Sequence, residues 1–395
     1  MPYVVVLPDG AADEPVPYLE GRTPLEAARK PNMDWISTNG RQGCAVTVPK
    51  GFLPGSDVAT LSLLGYDPAR YYSGRAPLEA AARGLSIGPE EQVFRCNFVT
   101  VVDGAMEDFT AGHITQSEAE RLIDDLNSRF AEEGCRFYAG VSYRNLMVTG
   151  AAPDREAACT PPHDFPGRPV SQHLPRGPGA GWLARVMHSA HDLLAEHDVN
   201  LVRRDLGEGP ATDIWLWGQG RLKSFESFHS RFGLHAGVIA AVDLVRGIAR
   251  ATGMEIIDVP GATGYLDTDY KAKGEKAVAA LNSFDMVVVH IEAPDEAGHL
   301  GDAAAKVEAI ERIDEQIVGP LIERLRRCDE WRILVAPDHP TPVGKKVHTS
   351  TPPPFCMAGD SVPADSTSAF SENAAAHSGL HIDPAHELME YFLRG

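Results

Sequence analysis

The sequence contains few of the features that mark zinc-binding, redox-active or membrane proteins. It has six cysteines in 395 residues, at positions 44, 96, 135, 159, 328 and 356, and no two of them form a C-x-x-C pair. This spacing argues against a zinc knuckle and against a redox dithiol, so we expect reduced core or loop cysteines. No apolar stretch reaches the length of a membrane span, and no basic region precedes the first strand-like residues. We therefore expect neither export nor a membrane anchor, and we expect a cytoplasmic protein.

Basic residues are also scarce. Lys and Arg number 36 against 55 Asp and Glu, which gives a formal net charge of −19. Because contact with nucleic-acid phosphates needs a basic face that displaces counterions, we expect no nucleic-acid partner.

The most informative feature that is present is a repeated pattern of a short apolar run followed by an aspartate. The runs cover residues 3–7, 286–291 and 333–336, and the aspartates are Asp9, Asp295 and Asp338. Val, Ile and Leu without alternation are typical of strands that are covered on both faces, as in parallel sheets. Ligands of such sheets bind outside the carboxyl ends of the strands, so we expect the three acids to meet in one crevice.

Histidines accompany two of these acids. His299 lies four residues after Asp295, His339 follows Asp338 directly, and His348 lies nine residues further on. Neutral imidazole is a ligand for Zn²⁺ or Mn²⁺, and carboxylates are ligands for Mg²⁺ or Mn²⁺. An isolated Asp-His pair is more often a solvated surface feature, and it is the coincidence with strand ends that favours a metal site.

The texture of the sequence changes twice along the chain. Residues 1–87 and 234–395 share the α/β pattern and the acid-ended strands, whereas residues 88–233 have an α+β pattern. We predict an α/β domain with a doubly wound, mostly parallel sheet from the two outer segments, interrupted by an inserted α+β domain. Within the outer segments we predict helices over 238–252 and 302–327, the second with a kink at Pro320.

Ser56 is a candidate nucleophile. It follows the turn Pro54-Gly55 and opens a segment with an apolar helical stripe. A hydroxyl beside two metal ions suits phosphoryl transfer, and the start of a helix favours an anion. The alternative is that Ser56 only caps the helix.

Five motifs in this order resemble one protein family over nearly the whole chain. They are PDG at 8–10, PGSDVA at 54–59, GYDP at 65–68, APDEAGH at 293–299 and PDHP at 337–340. The sequence resembles the archaeal-type, 2,3-bisphosphoglycerate-independent phosphoglycerate mutases of the alkaline phosphatase superfamily. The resemblance implies an alkaline-phosphatase-like domain with an inserted lid, and an enzyme of glycolysis and gluconeogenesis. It also implies two divalent ions, Mn²⁺ or Mg²⁺ in preference to Zn²⁺ or Co²⁺, and no nucleotide.

The resemblance further implies roles for the residues above. Asp9, Ser56, Asp338 and His339 would hold one ion, and Asp295, His299 and His348 would hold the other. Ser56 would take the phosphoryl group from 3-phosphoglycerate and return it to the 2-hydroxyl of the glycerate, while the lid excludes water. The expected partner is thus a small phosphorylated hydroxy acid.

Substrate-binding residues are expected on the lid and in loops. His113 and Arg144 match the family pattern, and His163 and Asp164 lie in a proline-rich loop. Further candidate cations are Lys271, Lys273, Arg203, Arg204 and Arg221.

Three alternatives remain open at this point. Residues 215–220 and 260–265 resemble a bacterial branch of the family for which a homoserine kinase role has been proposed, so a kinase-like phosphotransferase is one. No G-x-x-x-x-G-K-[ST] loop is present, so such an enzyme would not hold ATP in the P-loop manner. A plain metal-dependent phosphatase and a metal-stabilised binding module are the others. The sequence makes no prediction of the oligomeric state.

Overall fold

The computed structural model describes residues 1–150, 157–365 and 369–395. They form two compact units. The first unit comprises Met1–Tyr72 and Ser224–Gly395, and the inserted unit comprises Ser73–Lys223.

The described residues contain thirteen strands. These are β1 (Tyr3–Pro8), β2 (Arg41–Ala45), β3 (Gln92–Val102), β4 (Ala105–Asp108), β5 (Cys135–Val141), β6 (Arg144–Thr149), β7 (Asp213–Gly220), β8 (Ala236–Ile239), β9 (Glu255–Ile256), β10 (Met286–Ile291), β11 (Arg332–Val335), β12 (Pro354–Gly359) and β13 (His381–Ile382).

Sixteen α-helices lie in the same ranges. These are α1 (Pro24–Ala27), α2 (Pro31–Asn39), α3 (Ser56–Leu63), α4 (Pro68–Tyr71), α5 (Arg75–Ala82), α6 (Gln116–Phe130), α7 (Ala180–Ala195), α8 (Asp198–Leu206), α9 (Phe228–Phe232), α10 (Asp243–Ala251), α11 (Tyr270–Ala280), α12 (Ala293–Leu300), α13 (Ala303–Ile313), α14 (Gly319–Leu325), α15 (Glu372–His377) and α16 (Leu388–Arg394). Short 3-10 turns cover Pro17–Leu19, Ala131–Glu133, Pro162–Asp164, Val170–Gln172 and Ala385–Glu387, and one π-helical turn covers Asp314–Val318.

The first unit is built on an eight-stranded sheet in the order β13-β2-β12-β11-β1-β10-β8-β9. Strands β11, β1, β10, β8 and β9 are parallel to one another, and β12 runs antiparallel to both β11 and β2. The central strands are buried except for Tyr3 at the start of β1, as their mainly apolar sequences predict. The predicted α/β class with a mostly parallel sheet is confirmed.

The three acid-ended strands are the three central neighbours of this sheet. In β1, Val4 lies opposite Val287 of β10 on one side and Ile333 of β11 on the other. Because all three strands run in the same direction, their carboxyl ends meet at one edge. The segments that carry Asp9, Asp295 and Asp338 therefore leave the sheet side by side.

The inserted unit has a separate core. Its strands form an antiparallel sheet in the order β4-β3-β6-β5. Strand β7 also pairs with β3, along residues 93–99. Helices α6 and α7 cover this sheet with buried Leu122, Leu126 and Leu183. The arrangement is α+β, as the sequence pattern indicates.

The boundaries of the units differ from the predicted ones. We predicted an inserted segment of residues 88–233, and the structure has residues 73–223. Helix α5 belongs to the inserted unit because its Ala76 and Ala80 pack against Val93 and Leu146. Residues 224–233 belong to the first unit, where the backbone N–H of Phe228 donates to the carbonyl of Thr252 at 2.7 Å.

Two predicted helices also differ from the structure. Residues 238–252 begin with strand β8 and become helical only at α10. The segment 302–327 is helical, but it divides into α13, the π-helical turn Asp314–Val318 and α14. Pro320 has no N–H that could donate to the carbonyl of Gln316 four residues earlier, so the regular helical hydrogen bonding is interrupted there. The carbonyl oxygen of Gln316 instead faces Gly274 of α11, where an added Cβ would lie 2.0 Å from it.

Two expectations from composition can be compared with the structure. None of the helices in the described ranges combines the length and the apolar character that a membrane crossing needs. All six cysteines are free thiols.

Candidate metal centre

Asp295, His299 and His348 form the first group of possible metal ligands. Helix α12 starts just after β10, so Asp295 and His299 lie one turn apart on one face. The Nε2 atoms of His299 and His348 lie 3.1 and 3.4 Å from the two Asp295 carboxylate oxygens. The same two Nε2 atoms are only 2.9 Å apart.

The other nitrogens of these imidazoles show that the first group fits a cation. His299 Nδ1 lies 3.0 Å from the carbonyl of Lys346, and His348 Nδ1 lies 3.4 Å from the carbonyl of Pro54. A carbonyl only accepts, so Nδ1 carries the proton in the neutral rings and both Nε2 atoms carry lone pairs. Two lone pairs that face each other at this distance repel, and a proton on one Nε2 or a metal ion bound by both relieves that repulsion.

Asp9, Asp338 and His339 form the second group, with Ser56 beside them. His339 Nε2 lies 3.5 Å from both Asp9 Oδ1 and Asp338 Oδ2, and 3.2 Å from Ser56 Oγ. The two aspartates and the histidine are fully buried. Asp9 Oδ1 and Asp338 Oδ2 have no hydrogen-bond partner among the described residues. Buried carboxylate oxygens without partners are costly, and a bound cation would satisfy them, so this group also fits a metal ion.

Gly10 allows the two groups to approach each other. Its φ is +61°, its N–H donates to Asp338 Oδ1 at 3.1 Å, and a Cβ at this position would lie 2.5 Å from Asp295 Oδ1. Only glycine combines this backbone conformation with this close approach.

Ser56 is the first residue of helix α3, and Gly55 occupies the N-cap position without a side-chain cap. The alternative that Ser56 only caps the helix is therefore wrong. Its hydroxyl oxygen lies 3.2 Å from His339 Nε2.

The charges of the centre shift the pKa values of its members in opposite directions. Burial, together with the nearby charge of Asp338, raises the pKa of Asp9 well above its usual value. Burial also acts to raise the pKa of Asp295, but hydrogen bonds from His299 and His348 outweigh it and hold that pKa well below its usual range. In return, the hydrogen bond to Asp295 raises the pKa of His299 to about 9.

Sequence reasoning missed two further members of this neighbourhood. His290 Nε2 lies 2.9 Å from Asp9 Oδ2, and Glu292 lies 3.8 Å from the same imidazole nitrogen. Burial lowers the pKa of His290 to about 4, so the ring is neutral and donates to Asp9. The sequence did contain a signal for His290. A histidine inside an otherwise apolar strand is uncommon unless it has a buried partner.

The inserted unit carries a cationic cluster formed by Arg75, Arg95 and Arg144. Arg95 pairs with Glu79 at 3.2 Å and lies over the ring of Trp217 at 4.1 Å. Burial lowers the pKa of the Arg95 guanidinium to about 10, and the charges of Arg75 and Arg144 act in the same direction. The cluster is thus rich in positive charge and is suited to an anion.

One predicted substrate residue, Arg144, belongs to this cluster, and three more have contacts in the same unit. The ring of His163 packs on Trp217 with centroids 5.2 Å apart, and the ring of His113 lies 6.4 Å from that of Tyr143. Arg144 Nε donates to the Tyr143 hydroxyl at 3.1 Å. Asp164 is half exposed beside His163. Arg75 and Arg95 were not predicted, although Arg95 interrupts the apolar run of β3.

Comparison with known proteins identifies the family. The family model described as "2,3-bisphosphoglycerate-independent phosphoglycerate mutase" matches residues 37–200. A protein of Methanothrix thermoacetophila with that name is 52% identical over 100% of both chains, and a Methanosarcina acetivorans protein with the same name is 46% identical over 98% of both. The chain belongs to the 2,3-bisphosphoglycerate-independent phosphoglycerate mutase family.

Solved structures agree with the assignment to this phosphoglycerate mutase family. A Pyrococcus horikoshii protein is 30% identical and superposes with a TM-score of 0.82, covering 100% of this chain and 96% of its own. The cofactor-independent phosphoglycerate mutase of Thermoplasma acidophilum is 27% identical, with a TM-score of 0.67 and coverage of 100% and 99%. The fold class is thus the one found in this family.

Lys271 and Lys273, which we also predicted to bind the substrate of this phosphoglycerate mutase family member, contact other protein groups. Lys271 is exposed and lies 3.8 Å from Glu275. Lys273 is buried, and its ammonium donates to the carbonyl of His290 at 3.2 Å. Burial lowers its pKa to about 8. Lys273 thus donates to the backbone of the central sheet, and its role as a substrate-binding cation stays a prediction.

The three additional arginine candidates also bond to protein groups. Arg203 is buried and donates to the carbonyls of Ala111 and Gly112, next to His113. Arg204 and Arg221 are partly exposed, and they bond to the carbonyl of Ala195 and to Glu90 respectively.

Proposed function

We propose that this chain interconverts 3-phosphoglycerate and 2-phosphoglycerate through a phosphoserine at Ser56, without 2,3-bisphosphoglycerate. The observation that carries the proposal is the position of Ser56 Oγ. It lies 3.2 Å from His339 Nε2, at the start of helix α3 and beside two unpartnered carboxylate oxygens. The names of the full-length relatives support the same reaction.

Two divalent ions, Mn²⁺ or Mg²⁺ in preference to Zn²⁺ or Co²⁺, would occupy the centre. Asp9, Ser56, Asp338 and His339 would hold one, and Asp295, His299 and His348 the other. When bound, such ions lower the pKa of a nearby hydroxyl and stabilise negative charge on phosphoryl oxygens.

The chain's own groups perform the transfer in two displacements. Ser56 Oγ loses its proton and attacks phosphorus, the bond from phosphorus to the substrate's 3-oxygen breaks, and that oxygen takes up a proton. The glycerate then presents its 2-hydroxyl, which loses its proton and attacks the phosphoserine. The bond from phosphorus to Ser56 Oγ breaks, and Oγ takes up a proton. The positive end of the helix dipole at the start of α3 would stabilise the negative charge of the phosphoryl group in both steps. Atoms balance without a nucleotide or an oxidant.

The cationic cluster of the inserted unit would bind the carboxylate of the glycerate. Arg144 supplies one of the three guanidinium groups of this cluster. Its Nε donates to the hydroxyl of Tyr143 at 3.1 Å, which holds the side chain in place.

We expect Arg144→Ala to raise KM by about tenfold or more, because a charged hydrogen bond to substrate is worth about 1.5–3 kcal/mol. Mn²⁺ affinity should not change. The matched control is Arg136→Ala on neighbouring β5, where the exposed side chain pairs with Glu91. Equal effects of both variants on KM would contradict this role.

The function is tested by phosphorus NMR on the full chain incubated with Mn²⁺ and 3-phosphoglycerate. We expect the 2-phospho isomer to accumulate to equilibrium without release of free phosphate. Ser56→Ala should abolish the reaction and keep the fold. Free phosphate without isomer would identify a phosphatase, and transfer to homoserine from an added donor would identify the kinase-like activity.

We also propose that the enzyme works in the cytoplasm. Six cysteines that remain free thiols are typical of a reducing compartment. Fractionation of the native cells, followed by immunoblotting, tests this location.

A further inference from the structure

Thr341 touches both groups of the metal centre, although neither the family motifs nor the proposed reaction uses it. It is fully buried, two residues after His339. Its Oγ1 hydrogen-bonds to Asp295 Oδ1 in the first group and lies 3.2 Å from His339 Nδ1 in the second. One hydroxyl therefore connects one ligand of each group.

The number of available protons decides which atom donates and which accepts in these two hydrogen bonds. A hydroxyl has one proton, and an ionised carboxylate can only accept. Thr341 therefore donates to Asp295 and accepts from the Nδ1–H of His339. This places the imidazole proton on Nδ1, so His339 Nε2 keeps its lone pair where it faces Ser56 and Asp9.

The backbone of Thr341 is held from three sides, which fixes the position of its hydroxyl. Its carbonyl accepts from the buried ammonium of Lys306 at 2.9 Å, and its N–H donates to the carbonyl of Ala12 at 3.2 Å. Helix α12 packs directly on it, since a Cβ at Gly298 would lie 2.3 Å from the Thr341 carbonyl oxygen.

We propose that Thr341 is a positioning residue that couples the two metal sites: its hydroxyl orients Asp295 and selects the metal-binding tautomer of His339. This inference rests on the metal centre of the proposed function. Outer partners of metal ligands fix ligand orientation, and their loss typically lowers metal affinity about 10- to 100-fold. Because Thr341 serves one ligand in each group, removing its hydroxyl should weaken both binding steps.

The test compares full-length variants by Mn²⁺ titration, with free Mn²⁺ followed by electron paramagnetic resonance. Wild type should bind two ions per chain. Thr341→Val, which keeps the shape and removes the hydroxyl, should weaken both steps by about 10- to 100-fold. Thr341→Ser, which keeps the hydroxyl, should restore both steps. If the Val variant does not fold, Thr341→Ala removes the same hydroxyl.

A matched control separates metal binding from loss of stability. Thr252 is also fully buried, and its hydroxyl bonds to two carbonyls of α10. It precedes β9 and so lies at the amino ends of the parallel strands, away from the metal ligands. Thr252→Val should lower thermal stability and leave both Mn²⁺ constants unchanged.

The outcomes distinguish this inference from the proposed function. Two wild-type ions together with unchanged constants in Thr341→Val, or a loss confined to one step, would overturn the coupling role and leave the metal centre intact. Equal losses in Thr252→Val would also overturn it. A wild-type chain that binds no pair of ions would overturn both the metal centre and the coupling.

Discussion

At the scale of single residues, neighbouring groups fix the tautomers of the three histidines in the candidate metal centre. The three histidines each present Nε2 because Nδ1 is bonded elsewhere, to the carbonyls of Lys346 and Pro54 and to the hydroxyl of Thr341. Pre-set tautomers reduce the reorganisation that ion binding requires.

Gly10 gives the sharpest test of the crowding at this centre. Gly10→Ala would place a methyl group 2.5 Å from Asp295 Oδ1 in a backbone conformation with φ of +61°. We expect the Asp295 carboxylate to be displaced and Mn²⁺ affinity to fall by about 100-fold, near the upper end for disturbed metal ligands. The measurement is a Mn²⁺ titration by calorimetry.

Gly21→Ala is the control for backbone strain alone. Gly21 also has a positive φ, of +78°, but nothing lies within 4 Å of an added Cβ. This variant should lose about 1 kcal/mol of stability from the strained backbone and keep its Mn²⁺ affinity. Equal Mn²⁺ affinities in the two variants would rule out the steric argument.

The pH dependence of ion binding follows from the raised pKa of His299. In the metal-free protein that pKa is about 9, because Asp295 stabilises the charged ring. A metal ion binds the neutral ring, so binding below pH 9 must release this proton. We expect Mn²⁺ affinity to rise about tenfold per pH unit from pH 6.5 to 8.5. A plateau above pH 7, as expected for a histidine with an ordinary pKa, would contradict this result.

At the scale of elements, helix α13 fastens together the loops that leave β1 and β11. The buried ammonium of Lys306 bonds to Asp13 Oδ2 at 2.7 Å and to the carbonyls of Ala12 and Thr341. Asp13 in turn accepts the N–H of Val343 at 3.1 Å. The segments that follow Asp9 and His339 are thus held by one side chain.

Lys306→Met should be strongly destabilising, because it leaves the Asp13 carboxylate buried without its cation. Removal of one partner from a buried pair costs about 3–5 kcal/mol. The control is Lys345→Met, which breaks an exposed pair with Glu14 in the same two loops and should cost less than about 1 kcal/mol. Urea denaturation at pH 7 measures both. Similar losses in the two variants would show that burial does not govern the Asp13 pair.

At the scale of the whole molecule, two cores share one chain. The candidate metal ligands all belong to the first unit, and the cationic cluster belongs to the inserted unit. The inserted unit starts and ends at neighbouring points, since the Ser73 hydroxyl bonds to the carbonyl of Arg221. Such an insertion leaves the order of strands in the first sheet undisturbed.

Ions should therefore stabilise one core selectively. A ligand at about 100 times its Kd adds about 2.7 kcal/mol to the state that binds it. In scanning calorimetry we expect Mn²⁺ to raise the melting temperature of the first unit, and we expect the transition of the inserted unit to stay in place. A single transition that shifts as a whole would contradict independent unfolding of the two units.

The sequence by itself determined the central sheet and indicated most residues of the candidate metal centre. Unbroken apolar runs can only be buried on both faces, and parallel strands bring the residues that follow them to one edge. This argument brings together Asp9, Asp295 and Asp338. The turn before Ser56 and the spacing of the three histidines from Asp295 and Asp338 indicated the other members.

Only the tertiary structure decided which other groups face these residues. The start of β8 has the same apolar pattern as a helix start, and alanine-rich α5 can pack against either unit, so local pattern could not place them. Arg75, Arg95, His290 and Thr341 act through partners that are distant in the sequence, such as Trp217 for Arg95 and Asp295 for Thr341. Their roles depend on contacts across the fold, which the local sequence pattern does not encode.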